Sequence, residues 1–261
     1  MRRSLLVALC FGLWTLISAP LGFANGVFQS VSGDVRAAVG TAAPASVARN
    51  QRVVPGSTVT TGPGAQTVIR FDDGHTVVLN ENTEFRVNQY SFDKDKPQSD
   101  NIAIQLLKGA MRSVSGLIGS RSRNSFALLA PQATIGIRGT DFMVALVNPA
   151  YFVVLQGTIE VSNAAGSVVF SAGEIVMVES STTLPVRIPS SALPPSVANA
   201  FSSLGAVAVA FGPGANEAVG AGAGGLTPGQ IAAALAAIGI VVIVTHPEGG
   251  GTTGTTTTTP R

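Results

Sequence analysis

Two histidines, His75 and His246, and one cysteine, Cys10, are all that this 261-residue chain offers a borderline-soft metal. A catalytic zinc needs three protein ligands converging on one point, and a cupin-like centre needs two or three histidines and a glutamate on adjacent strands. The ligand count therefore argues against metal catalysis. His75 follows Asp72-Asp73-Gly74 and reads as a hairpin residue beside a carboxylate. His246 ends an apolar run, a place that suits a partly positive group. Asp72, Asp73, Glu81 and Glu84 could in principle supply the acid and base of a glycosidase. They lie beside turns, however, and the one tryptophan, Trp14, falls in the apolar N-terminal stretch, so turn chemistry accounts for them better. No G-x-S-x-G elbow, phosphate loop or dinucleotide fingerprint occurs. The expectation is a protein that is not an enzyme, with no catalytic residue, no cofactor and no metal.

The run from Ala130 to Phe142, with Pro131 near its start and Arg138-Gly139-Thr140-Asp141-Phe142 at its end, is the most informative part of the chain. Pro131 fixes its own φ and biases Ala130 toward extended geometry, so two strands are expected to meet at a corner there. Gly136 and Gly139 flank Ile137-Arg138, and glycine inside a strand pattern marks a bulge or a close backbone approach. Arg138 then has two readings. It is a ligand-facing arginine, or its fork is used up on loop carbonyls or a carboxylate such as Asp141. The apolar neighbours favour the second, with Arg138, Gly139, Thr140, Asp141 and Phe142 as a structural motif or a recognition site.

The elements that must position this run are strands. From residue 27 to about 180 the chain shows short apolar alternations cut by glycine turns and no convincing helix, which points to an all-β domain. Residues 65–71 and 75–80 form a hairpin around Asp72-Asp73-Gly74. Residues 84–92 alternate, as do Ile102, Ile104 and Leu106, and residues 128–147 supply the densest core. A weak echo between residues 32–59 and 156–176, a glycine turn and a strand twice over, suggests short stacked hairpins in a β-roll, sandwich or solenoid-like packing. Some 150 residues can bury such a core without disulfides.

The N-terminus, Met1-Arg2-Arg3 followed by an apolar run and Gly22-Phe23-Ala24, has the form of a secretory signal peptide covering residues 1–24. Its removal would take away Cys10 and leave an exported, disulfide-free chain, as suits the periplasm of a Gram-negative cell. It would also take away Arg2 and Arg3, the whole of the +2 net charge. A balanced chain with only a loose group of Lys108, Arg112, Arg121, Arg123 and Arg138 lacks the basic stripe of a nucleic-acid binder, so no nucleic acid is expected.

Beyond residue 180 the composition changes. Residues 181–225 read as a proline-, glycine- and alanine-rich linker with a short helix near 196–211, so a chain ending at Ser180 should fold alone. Thr227-Pro228-Gly229-Gln230 is a helix start. The helix it opens, across 226–245, is apolar on every face between Ile231 and Val244 and is expected to enter a membrane or to self-associate, with packing on the β domain as the alternative. Residues 246–261 are a low-complexity Gly/Thr tail.

Six landmarks in register resemble the FecR-like domain family: Gly33-Asp34-Val35, Pro55-Gly56-Ser57, Leu107-Lys108-Gly109-Ala110, the 130–142 run, Leu155-Gln156-Gly157-Thr158 and Ala172-Gly173-Glu174. The resemblance covers residues 27–180. It implies a relative of membrane-bound regulators of iron uptake, whose cytoplasmic segment grips a sigma factor and whose periplasmic domain receives a signal from an outer-membrane transporter. This chain resembles the periplasmic part, and with three residues before its apolar N-terminus no sigma factor is expected as a partner. What the resemblance implies is a stand-alone exported interaction or sensing module for an envelope protein or glycan. The alternative is a polysaccharide- or peptidoglycan-associated protein with an unrecognised site.

Overall fold

The computed structural model describes residues 25–207. The expected signal peptide, the apolar 231–244 run and the Gly/Thr tail lie outside the described residues. Fifteen strands form one continuous sheet: β1 Gly26–Ser32, β2 Val35–Val39, β3 Ala45–Ser46, β4 Arg52–Val53, β5 Ser57–Thr61, β6 Gln66–Phe71, β7 Thr76–Leu79, β8 Glu84–Ser91, β9 Asn101–Val114, β10 Phe126–Leu129, β11 Thr134–Leu146, β12 Ala150–Asn163, β13 Gly166–Ser171, β14 Ile175–Val178 and β15 Val186–Ile188. Two short helices accompany them, α1 Leu117–Arg121 and α2 Pro195–Gly205. The all-β reading holds.

Three long strands fold this sheet over on itself. The first part of β9 pairs with β8 and β10, its last part with β7 and β11. β11 lies against β10 up to Leu129↔Thr134 and against β9 from Asp141 onward. β12 holds β14 with its first residues and β13 with its last. Each strand changes partners at a glycine with positive φ: Gly109 at +86°, Gly139 at +55° and Gly157 at +75°. Two layers result. One runs β3-β2-β5-β8-β9-β10-β11-β12-β13, the other β4-β1-β6-β7-β9-β11-β12-β14-β15, with the halves of β9, β11 and β12 continuing from layer to layer. The period-two alternation turns Phe28, Ile69, Leu79, Phe85, Ile104, Phe142, Phe152 and Phe170 into the space between them, where all eight are fully buried.

The 65–80 hairpin forms as expected, with Thr67↔Leu79 to Arg70↔Thr76 paired around Gly74. The corner at Pro131 forms too, closed by the Ala130 N–H to Ala133 C=O bond between β10 and β11. Two expectations change. A helix, α1, interrupts the 27–180 span, because its first N–H groups are satisfied from afar: Leu117 donates to the Asp73 carbonyl and Ile118 to Asp73 Oδ2. The linker expected from residue 181 is, as far as Val207, part of the packed body. Val186 and Ile188 add an edge strand to β14, and Val197, Phe201 and Leu204 of α2 seal the outer face of the second layer over Val78, Met143, Ala145, Tyr151 and Val153. Val197, Phe201 and Leu204 stand at helical spacing, i, i+4 and i+7, within the segment where the sequence suggested a short helix.

Candidate functional site

The 138–142 run is the point where β11 passes from one layer to the other. Gly139 supplies the positive φ, and opposite it Gly157 brings β12 so near that a Cβ there would lie 2.2 Å from the Gly139 carbonyl oxygen. Thr140 clamps the bulge. Its Oγ1 donates to Thr158 C=O at 2.8 Å and accepts from Arg138 N–H at 3.1 Å. Its N–H donates to Ser115 Oγ, and that hydroxyl donates back to the Thr140 carbonyl, both at 2.9 Å. Phe142 is fully buried between the layers.

Asp141 faces the other way and is held by Arg112 in a two-pronged pair, Nε to Oδ1 at 2.9 Å and Nη2 to Oδ2 at 2.6 Å. Both side chains are enclosed, 11% and 3% exposed. Arg112 also donates through Nη1 to the Val207 carbonyl just past α2. Burial pushes the Arg112 guanidinium down, but the charge and hydrogen bonds of Asp141 more than reverse this, so its pKa is raised.

Arg138 is the exception in the run. It is exposed on the outer face of the first layer, and its guanidinium has no partner among the described residues. The expected enclosure by carbonyls or by Asp141 is not what the fold provides, because Asp141 belongs to Arg112. The residues that lock the motif, Arg112, Ser115, Thr158 and Gly157, come from two other strands and the turn before α1. Gly157 and Thr158 carried a sequence signal, as part of the Gln156-Gly157-Thr158 landmark, whereas Arg112 stood out only as one of the loose basic group and Ser115 not at all. The loose basic group disperses likewise, with Arg112 buried in its ion pair and Arg121 lying 3.8 Å from Asp100.

The second polar cluster is internal. Asp73 Oδ1 accepts from His75 N–H and from Tyr90 Oη, each at 3.1 Å, and Tyr90 Oη accepts from Asp73 N–H at 2.9 Å. Ser113 Oγ lies 3.3 Å from His75 Nε2. A serine beside a histidine and an aspartate invites comparison with a hydrolytic triad, and the geometry rejects it. His75 is 1% exposed and Ser113 fully buried, and Asp73 serves backbone N–H groups and Tyr90 rather than the imidazole. The ring is packed between Phe71 and Phe126, with centroids 5.7 and 5.4 Å away. Gly116 completes the enclosure, since a Cβ there would lie 2.3 Å from His75 N. The other three candidate carboxylates do not converge: Asp72 accepts from Asn25 N–H and Glu81 from Gly64 N–H, while Glu84 lies on β8 opposite Lys108. Among the described residues no three His, Cys, Asp or Glu side chains gather as metal ligands would.

Burial lowers the His75 pKa from 6.5 to about 4, against an opposing pull from Asp73. The folded state therefore holds His75 neutral where the unfolded chain takes up a proton. Stability is unaffected by this group above pH 6.5 and falls as the pH drops toward 4, by roughly 3 kcal/mol in all. Urea unfolding at pH 7.5 and 4.5 should show this loss in the wild type and a smaller one in His75→Phe. Equal losses in the two proteins would refute the assignment.

Against known families, residues 57–160 match the model described as "FecR protein". The match runs from the start of β5 into β12 and contains all three bent strands up to their crossing points. The chain carries a FecR domain. Two crystal structures of a "putative anti-sigma factor" from Parabacteroides distasonis ATCC 8503 are similar at 18% and 16% identity, with TM-scores of 0.41 and 0.39. Each alignment covers 50% of this chain and 58% of the other, so this chain spans little more than half the length of those proteins. No curated protein matches. Among the described residues no helix is long and apolar enough to cross a membrane.

Proposed function

We propose that this FecR domain is a non-enzymatic regulatory or sensing module of the cell envelope, exported to the periplasm, which meets a protein or glycan partner with the outer face of its first layer around Arg138. The observation that carries this reading is the contrast within one motif. Four of its five residues are consumed by the strand crossing, while the arginine between two glycines stands in solvent with its five donors unspent. A fold does not need an exposed arginine there, since exposed side chains without partners contribute little to stability. Arginine's planar fork, by contrast, suits carboxylates and other planar acceptors on a partner. The surroundings support such contact: Thr134, Gly136, Thr158 and Glu160 share that face by register, and a Cβ on Gly136 would meet nothing within 4 Å. The sealed Ser113–His75 contact favours a binding role over a hydrolytic one.

Arg138→Ala should melt within about 1 °C of the wild type, because no described partner is orphaned. In periplasmic cross-linking it should lose the species captured by the wild-type chain. Undiminished capture by a normally folded Arg138→Ala protein would overturn the proposal. A clear fall in melting temperature would show that the arginine braces the fold instead.

A further inference from the structure

The first layer ends at β13, and the geometry of this edge is open. Ala172 N–H donates to Gly157 C=O, which fixes the phase of the ladder: residues 166, 168 and 170 face β12, and Ser167, Val169 and Ser171 turn their backbone groups outward. Edge strands in natural proteins are blunted by charges, prolines or bulges. Gly166-Ser167-Val168-Val169-Phe170-Ser171 has no charge and no proline, it pairs without a register break, and its centre is strongly β-forming. Val169 is 53% exposed.

Three outward groups are covered: the Ser171 C=O accepts from Glu174 N–H at 3.1 Å in the turn after the strand, and the other two are held by one ion pair. Arg187 on β15, in the other layer, donates through Nη2 to Val169 C=O at 2.9 Å, and its guanidinium lies 4.8 Å from the centre of the Phe170 ring. Glu174 accepts Ser171 N–H at 2.6 Å and is bonded to Arg187 Nε. Among the described residues the Ser167 N–H and C=O and the Val169 N–H have no partner.

We propose that this edge is a self-association site, where two copies of the chain pair their β13 strands antiparallel about Val169 while the Arg187–Glu174 pair acts as a displaceable latch. A second copy is the occupant that fits without further chemistry. With Val169 on the two-fold axis, Val169 N–H meets the partner's Val169 C=O, and Ser167 bonds reciprocally with the partner's Ser171, whose C=O takes a second donor beside Glu174 N–H, so the three unpaired groups are satisfied. The strand brings no charge to repel its copy, and the two exposed valines cover each other. The latch is suited to displacement because both its side chains are partly solvated, 54% and 29% exposed, and exposed ion pairs are weak. This inference is independent of the role given to Arg138.

Light scattering and sedimentation of the full chain should show Arg187→Ala and Glu174→Gln each dimerising at least about tenfold more tightly than the wild type. Adding Val169→Lys to either should restore the wild-type value, since it sets two ammonium groups face to face at the axis. Should Arg187→Ala fail to fold, Glu174→Gln gives the same reading with the Phe170 contact intact. Latch variants with native circular dichroism that are no more dimeric than the wild type would overturn the proposal. So would a gain in association that Val169→Lys leaves untouched, which would place the contact on another surface or in the apolar 231–244 run.

Discussion

Asp141→Ala is expected to cost about 3–5 kcal/mol of stability, a large share of the roughly 5–15 kcal/mol that holds a domain folded. The loss is not that of a good contact alone. Arg112 is 11% exposed and is surrounded by the second layer and the end of α2. Without Asp141 its charge keeps one carbonyl partner, Val207, and no counter-ion among the described residues. Leaving a buried charge unpaired is far costlier than never burying it. The double variant Arg112→Met with Asp141→Leu should therefore be markedly more stable than Asp141→Ala alone, although it lacks the same ion pair. Chemical unfolding of the three proteins checks this. If the double variant is as unstable as the single one, the pair itself, and not the orphaned arginine, holds the crossing together.

That ion pair also marks where the sequence stopped being legible. Alternation and glycine spacing gave the strands, the 65–80 hairpin and the Pro131 corner, because each depends on residues within a few positions of one another. The fate of Arg138 and Asp141 depends on Arg112, which lies 29 residues before Asp141 and meets it only because β9 and β11 pair after both have bent. Proximity in sequence made Asp141 the natural partner of Arg138. The bulge at Gly139 and Thr140 breaks that relation, since the register shifts between Arg138 and Asp141. The same limit explains α1, whose cap is a carboxylate 45 residues away. His75 was legible as a hairpin residue near a carboxylate. Its burial was not, because only Phe71 lies near it in sequence, while Phe126 and Gly116, which complete the enclosure, come after β9.

The C-terminal boundary is where the structure changes the expected outcome of an experiment. A chain ending at Ser180 should be deeply destabilised relative to one ending at Val207. The shorter chain keeps every strand of the first layer but loses β15 and α2. Val197, Phe201 and Leu204 would no longer cover the second layer, and Val78, Met143, Ala145, Tyr151 and Val153, now buried, would form a contiguous apolar face in water. Burying side chains of this kind is worth about 1.5–3 kcal/mol each before the entropy of ordering the helix is subtracted, so a net loss of roughly 5 kcal/mol is expected. Phe201→Ala in the longer chain removes one of these contacts and should cost about 3–5 kcal/mol by leaving a cavity under α2. Calorimetry of the two lengths, with dye binding to report the exposed face, decides the matter. Superimposable melts without added dye binding would mean that α2 merely rests on the sheet. The Arg112 Nη1 bond to the Val207 carbonyl argues for the opposite result, since it ties the end of α2 to the strand crossing that the 138–142 run builds.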